Sequence, residues 1–488
     1  MSQLALRSLG NSSNMMTQAM ERLSTGKRIN SAADDAAGLG IATKLKAQVN
    51  SLNAAGRNAS DALALVGTID GALEESGEIL QRMRELAVQS ASDTNTGTDR
   101  TFIQDEINAL NNELNRISTS TEFNTVKLLD GTYTDKSIQI GTGANQVFRI
   151  GISSTDSSTL GAFQTNSANE AVSSTSAATA KSALNVLFSG AADYTVKGSF
   201  GTTTASVDAG ADARDVAKTF NLLTGTTGIS ASVITKAKVQ AGDATTYSFT
   251  LQGKSSTAST VNFTIASTSD QTALKDAINA VTGSTGIVAS LTSDLSAVNL
   301  VQEEGYDIIM GDVTSAAASK TMIVNSVDKD GTAGSNVTLT SGATDSAAFV
   351  GQVSLSSHKA FTVTPGNERN HFNSDTSTVT SSLSTLGDIN LKTQTGATNS
   401  IAVIDAAVAM ISEVRSQMGA AENRLESTVD NLSNIAVNTQ RSLSSVEDAN
   451  FASETSALTK SQILQQAATS MLAQANQAKQ SMLVLLQG

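Results

Sequence analysis

The sequence predicts a multi-domain chain, mainly α at both ends and β-rich in the middle. The terminal segments should join in a long coiled-coil-like helical bundle, with a β-hairpin and a central β-rich α+β insert. Three observations predict this. Apolar residues recur at alternating steps of three and four near both ends of the chain. In the middle the period falls to two in short Val/Ile/Phe runs. The same middle stretch shifts in composition to Ser, Thr, Gly, Ala and Asp.

The first helix is marked by Leu6, Leu9, Ser13, Met16, Met20 and Leu23, the spacing of a coiled-coil seam. "STGKRINS" breaks it. A second helix should run from Leu39 to Ser92, where Leu45, Leu52, Ala59, Val66, Leu73, Leu80 and Ala87 are each seven apart. Val49, Leu63, Ile69 and Met83 fill the intermediate positions. The 488 residues include one proline, Pro365, where average usage would give about 24. Nothing therefore interrupts this run, which suits one helix roughly 80 Å long. Such a helix needs partners along its length. A third helix reads from Asp99 to Ser118, with Phe102, Ile103, Ile107, Leu110, Leu114 and Ile117 apolar.

"KSIQIGTGANQVFRIGI" then reads as a hairpin, with Ile138 and Ile140 before a Gly/Asn turn and Val147, Phe148, Ile150 and Ile152 after it. The insert follows, from about Ser153 to Leu386, and contains a repeat. "FNLLTGTTGISAS" (Phe220–Ser232) aligns with "INAVTGSTGIVAS" (Ile278–Ser290), 58 residues later. Each copy follows a short helical pattern and a strand-like segment, "ADYTVKGSF" or "TYSFTLQG", so two related units are expected over about 190–240 and 245–310. The chain then returns to helix. Ile404, Ile411, Met418, Leu425 and Leu432 are each seven apart, and Leu464, Ala468, Met471, Ala475, Ala478, Met482 and Leu485 continue the alternation. Bundling the two ends satisfies all of these seams and pushes the insert outward.

Two adjacent carboxylates, Asp34 and Asp35, stand in "GKRINSAADDAAGLGIATKL". Ser31 and Asp34 fit a capping box, with Ser31 as N-cap and Asp34 in the first turn. Neighbouring positions do not face each other on a helix, so the pair makes a poor acid/base dyad. Other chemistry is equally sparse. There is no Cys, and the only histidines are His358 and His371, which argues against a zinc or copper site. No Walker A, H-E-x-x-H or G-x-S-x-G motif occurs. The "TGxTGI" glycines Gly225, Gly228, Gly283 and Gly286 follow their helices rather than precede them, which reads as turns, not a phosphate loop. "RMRELAVQ" reads as a solvated helix face with a Glu78–Arg82 pair at i, i+4. Asn336-Val337-Thr338 matches an N-glycan acceptor. The net charge of −13 argues against a nucleic-acid partner. The first residues lack a signal-peptide pattern, and no apolar run reaches membrane-spanning length. Taken alone, this suggests a cytoplasmic protein without catalytic machinery, cofactor or metal.

Five segments change that reading. "RLSTGKRINSAADDAAGLGIATKL" (Arg22–Leu45), "LQRMRELAVQSASDTNT" (Leu80–Thr96), "FNTVKLLDG" (Phe123–Gly131), "AAENRLESTVDNLSN" (Ala420–Asn434) and "TKSQILQQAATSMLAQANQ" (Thr459–Gln477) closely resemble bacterial flagellin. The resemblance implies an extracellular structural protein that self-assembles into the flagellar filament, exported unfolded through the flagellar secretion apparatus. It also implies an export chaperone and a filament cap as partners. The segments would be an N-terminal core helix (1–30), N-terminal inner-tube helices and hairpin (31–153), a solvent-facing variable insert (154–386), a C-terminal inner-tube helix (387–447) and a C-terminal core helix (448–488). On the core helices the expected subunit-interface residues are Leu9, Met16, Met20, Leu23, Leu464, Met471, Met482 and Leu485. By the same resemblance Arg82, Leu86 and Glu113 sit where Toll-like receptor 5 recognises flagellin. Members usually begin with an "INTN"-like segment, so the start at "MSQLALRSL" is expected to be a shortened N-terminus. A hook–filament junction or other flagellar axial protein, and a flagellin with an enzymatic insert, are the alternative readings.

Overall fold

The computed structural model describes residues 2–167, 171–174, 192–208, 211–316, 320–366, 371–372 and 377–486. Its helices are α1 (Ser2–Thr25), α2 (Ala36–Ala91), α3 (Gly97–Ser120), α4 (Ala213–Leu222), α5 (Thr224–Thr227), α6 (Thr272–Asn279), α7 (Thr282–Thr285), α8 (Gln394–Glu447) and α9 (Phe451–Leu486). The chain divides into two units. One comprises Met1–Thr68, Thr134–Gly151 and Met418–Gly488; the other comprises Ile69–Tyr133 and Ile152–Gln417. Both α2 and α8 contribute to each.

The heptad spacing of α2 becomes its buried stripe. In the first unit Val49, Leu52, Ala55, Ala59, Ala62 and Val66 are buried, and in the second Ile69, Leu73, Ser76, Leu80, Met83, Ala87 and Ser90 continue the same steps. All five seam residues of α8, Ile404 to Leu432, are also buried. In the first unit Leu52 and Ala55 pack on Leu432 and Ala436. In the second, Arg415 donates to Asp70 at 2.9 Å and Arg84 to Asp405 at 2.5 Å. In each unit, then, α2 and α8 run antiparallel.

The start of α2 differs from the expected capping box. Ser31 and Asp34 do bond: Ser31 N and Oγ donate to Asp34 Oδ2 at 2.9 and 3.0 Å. That bonding closes a turn ahead of the helix, and Gln18 adds a further donor. The backbone and side-chain donors of Ser31 hold the Asp34 carboxyl below the usual carboxylate range. The cap itself is Asp35, whose Oδ1 accepts from Gly38 N at 2.8 Å, because α2 begins at Ala36. A capping box does form at α3, where Thr96 and Asp99 bond reciprocally.

After α3 come a small hairpin, β1 (Glu122–Phe123) and β2 (Val126–Lys127), and the expected hairpin, β3 (Lys136–Gln139) and β4 (Val147–Ile150). The insert contains β5 (Gly161–Asn166), β6 (Ala171–Ser174), β7 (Ala192–Lys197), β8 (Thr202–Val207), β9 (Ser230–Ala241), β10 (Thr246–Gln252), β11 (Ser259–Thr264), β12 (Val288–Leu291), β13 (Val298–Gln302), β14 (Ile308–Ser315), β15 (Thr321–Val327), β16 (Val337–Thr340), β17 (Ser346–Phe349), β18 (Gln352–Ser357), β19 (Thr362–Pro365), β20 (Val379–Thr380) and β21 (Ser382–Thr385). Three antiparallel sheets result, in the orders β11-β10-β14-β17-β6, β12-β13-β9-β18-β5-β21 and β20-β19-β7-β8; β15 also pairs with β9 and carries β16.

The repeat folds twice the same way: hairpin, helix, short helical turn, strand. Asn221 brackets Ala231 with bonds of 2.9 and 2.7 Å, and Asn279 brackets Ala289 with two of 2.9 Å. Thr224 Oγ1 donates to Ile229 O and Thr282 Oγ1 to Ile287 O, both at 2.8 Å. Gly228 (φ 73°) and Gly286 (φ 69°) end the turns in left-handed conformation, so these glycines serve a C-cap. Two apolar cores result, one around Tyr247, Phe249 and Phe263, the other around Tyr194, Phe220 and Phe372.

Polar side chains of α3 hold the segments leading into and out of the insert. Asn115 Oδ1 accepts from Ser157 N at 2.8 Å, Gln104 Oε1 from Leu391 N at 2.7 Å, and Asn111 Nδ2 donates to Leu386 O at 3.1 Å. His371 is buried in the Tyr194 core. Its Nδ1 lies 3.2 Å from Tyr194 Oη and its Nε2 3.3 Å from Ala211 O, which assigns the neutral Nε2–H tautomer. Burial pushes its pKa down to about 4.

Two outcomes follow. Gly228→Ala and Gly286→Ala should each destabilise by about 1–2 kcal/mol in chemical denaturation, the cost of a left-handed alanine. Gly228→Ala should cost more, because its Cβ would lie 2.6 Å from Ser199 Oγ while the nearest atom to that of Gly286 is 3.4 Å away. For His371 the depressed folded pKa means that stability is fully present above the unfolded value of 6.5 and is lost as pH falls towards about 4. Thermal unfolding between pH 7 and pH 4 should show a loss of up to ~3 kcal/mol, reduced in His371→Gln.

Candidate assembly interface

In the first unit α1 and α9 lie side by side. Arg22, near the end of α1, pairs with Glu454, near the start of α9, at 3.3 Å, so the two run antiparallel. The turns that join them to α2 and α8 are tied together. Arg28 N donates to Glu447 O at 2.7 Å, Arg28 Nη2 to Val446 O at 2.8 Å and Ala449 N to Gly26 O at 2.9 Å. Lys27 pairs with Glu447, and Ile29 is buried beneath them.

The least exposed stripe of α1 is Leu9, Ser12, Met16, Ala19 and Leu23, and that of α9 is Leu458, Ser461, Gln465, Ala468 and Leu472. Both keep the three-four alternation. Leu9, Met16 and Leu23 thus lie, half-buried, on the stripe that α1 turns inward. Leu464 and Met471 do not. They are 39% and 57% exposed, and Met20 is 47% exposed. The side chains of Met482 and Leu485 lie outside the described residues. Over the described side chains the expected seam of α9 is therefore displaced: among them only Ala468 belongs to both stripes. The reason is that α9 carries apolar or small residues nearly all round, so two overlapping seams are written on one helix. The small Ser12, Ala19 and Ser461, each 2–3% exposed, mark the line of close approach. The displaced seam residues Leu464 and Met471 are exposed, as are Phe451 and Ile463, and on α1 Leu4, Leu6, Met15 and Met20 flank the buried stripe on both sides. A helix apolar on both faces is ordinarily buried on both.

A second surface lies on α2 and α3. Arg82 Nε and Nη2 donate to Glu106 Oε1 at 3.0 and 2.8 Å, and Nη1 to Glu85 Oε2 at 3.1 Å. These partners replace the expected Glu78. The hydrogen bonds that Arg82 donates to both glutamates, Glu106 foremost, raise its pKa. Leu86 is 2% exposed and belongs to the core, since it falls on the inward face of α2. Glu113 pairs with Arg116, seven residues (about 10 Å of helix) beyond the glutamate that meets Arg82. The surface residues that sequence reasoning missed are Glu106 and the exposed Val88 and Phe102, at 49% and 67%; helical spacing from Arg82 alone does not reveal them, because they depend on how α3 is laid against α2.

The two histidines of the insert are separate. His358 Nε2 lies 3.3 Å from Glu413 Oε2, and Lys359 pairs with the same carboxylate. Hydrogen bonding from Lys359 lowers the Glu413 pKa. Among the described residues no three His, Cys, Asp or Glu side chains are arranged to hold a metal ion.

Comparison with known proteins places these helices. Residues 1–134 match the family profile "Bacterial flagellin N-terminal helical region" and residues 401–486 match "Bacterial flagellin C-terminal helical region". The chain is 36% identical to the B-type flagellin of Pseudomonas aeruginosa, over 98% of this chain and 97% of that one. It is 33% identical to a flagellin of Salmonella choleraesuis, over 100% and 98%. Among solved structures, flagellar hook associated protein-3 from Legionella pneumophila is 12% identical with a TM-score of 0.36, covering 83% of this chain and 99% of that one. With profiles at both helical ends and flagellins matched along nearly their whole length, this chain belongs to the bacterial flagellin family.

Proposed function

We propose that the chain is the structural subunit of an extracellular bacterial flagellar filament, that it polymerises through α1 and α9, and that it performs no catalysis. The observation that carries this reading is the set of large apolar side chains on the α1–α9 pair, Met20, Leu464 and Met471 among them, that its own chain leaves exposed. Neighbouring copies supply the missing cover. Contacts of this kind, repeated head to tail, build an open helical polymer. In this reading Met20, Leu464 and Met471 meet other subunits directly, and Leu9, Met16 and Leu23 hold the helix pair that presents them. Residues 1–30 and 448–488 form the filament core, residues 31–153 and 387–447 the inner tube, and residues 154–386 the solvent-facing layer. Export through the flagellar secretion apparatus, with an export chaperone and a filament cap as partners, belongs to the same proposal.

Toll-like receptor 5 is a further proposed partner. Arg82 and its exposed neighbours on α2 and α3 are the contact residues in this reading, and Leu86 supports the helix from within.

Polymerisation on short flagellar seeds in high salt, viewed by electron microscopy, tests the main reading. Wild type should grow filaments, whereas Leu464→Lys and Met471→Lys should keep the circular dichroism spectrum of the monomer and lose growth. Growth unaffected by both charges would place the interface elsewhere. In a receptor-reporter assay Arg82→Ala should weaken the response to monomer severalfold without loss of stability. Leu86→Ala should instead destabilise the fold, by about 2–5 kcal/mol.

A further inference from the structure

Among the described residues, two strands of the insert end their sheets with no further strand paired to them. β8 closes the order β20-β19-β7-β8, and β11 opens the order β11-β10-β14-β17-β6. Both are six residues long, whereas the strands at the other ends of the three main sheets have four residues or two. The two edges are equivalent. The 58-residue repeat offset carries Thr202, Thr204 and Ser206 of β8 onto Thr260, Asn262 and Thr264 of β11. The described backbone bonds of β8 and β11 run within their own hairpins, and the β10–β11 ladder extends one step past β11, where Ile265 N donates to Thr245 O.

Free edges are normally guarded by lysine, proline, an inward charge or a bulge, because a bare row of N–H and C=O groups is a template for another strand. Neither edge is guarded in this way. "TTTASV" and "STVNFT" contain no charge and no proline, and their pairings with β7 and β10 run without a bulge. Each strand alternates a buried row, Ala205 and Val207 or Val261 and Phe263, with an exposed row of short polar side chains. Thr, Ser and Asn side chains on opposed strands form favourable cross-strand pairs.

We propose that β8 of one copy pairs with β11 of a neighbouring copy, so that the inserts are joined by an intermolecular sheet on the filament surface. The occupant is a second copy of this chain for two reasons. The chain offers two different edges of equal length and matching chemistry, one from each repeat, as a head-to-tail contact requires. Subunits held by their helices also keep their inserts at high effective concentration, so a weak strand pairing is enough. The inference rests on the filament reading above.

The absence of native cysteine makes the test clean. Asn262→Cys is combined in turn with Thr202→Cys, Thr204→Cys and Ser206→Cys, since directly opposed strand residues are close enough for a disulfide. Filaments of each double variant are oxidised and run on a denaturing gel. A ladder of cross-linked multimers from one pair, absent from each single-cysteine variant and from dispersed monomer, is the expected result. Dimers from Asn262→Cys alone would overturn the β8–β11 assignment in favour of like edges meeting. Filaments that form normally but yield no ladder with any pair would overturn the inference and leave the filament reading standing. Failure of the wild-type chain to polymerise would overturn both.

Discussion

One seam between the two ends of the chain underlies the rest of the structure. A long helix cannot stand alone in water, because its apolar stripe needs cover along its whole length. α2 finds that cover in α8, more than three hundred residues later, through Leu52 and Leu432 in one unit and through the Arg84–Asp405 and Arg415–Asp70 pairs in the other. Antiparallel pairing then brings the residues after α1 against those before α9, and Arg28 and Ala449 complete the join with backbone bonds.

The insert hangs on the same constraint. Both of its connections are held by one helix, α3, through Asn115 on the way in and Asn111 and Gln104 on the way out. These are buried or part-buried polar groups with specific backbone partners, so an error in register would leave donors unpaired in the core. Beyond this clamp the chain changes in composition. It is built from small Ser/Thr-rich strands around two apolar cores, and one hairpin–helix–turn–strand unit occurs twice.

The α1–α9 pair has the opposite character. It buries small residues towards itself and leaves large ones, Leu464 and Met471 among them, outside. In the proposed filament reading this exposed face is where identical copies join, which would couple completion of its burial to assembly.

The sequence by itself determined the periodic features. The seams of α2 and α8, the Lys136–Ile150 hairpin and the paired turns at Gly228 and Gly286 are local patterns, legible because side-chain period and turn chemistry are properties of consecutive residues. The five flagellin-like segments were equally legible. What only the tertiary structure decided was partnership. Heptad spacing does not say which of two apolar stripes on α9 meets α1. It does not say that Asp35 rather than Ser31 caps α2, that Arg82 takes Glu106 rather than Glu78, or that Leu86 points inward. Nor does it reveal that His371 closes onto Tyr194 while His358 reaches Glu413. Each of these depends on where a distant segment comes to rest, and that position is set by packing summed over the whole fold.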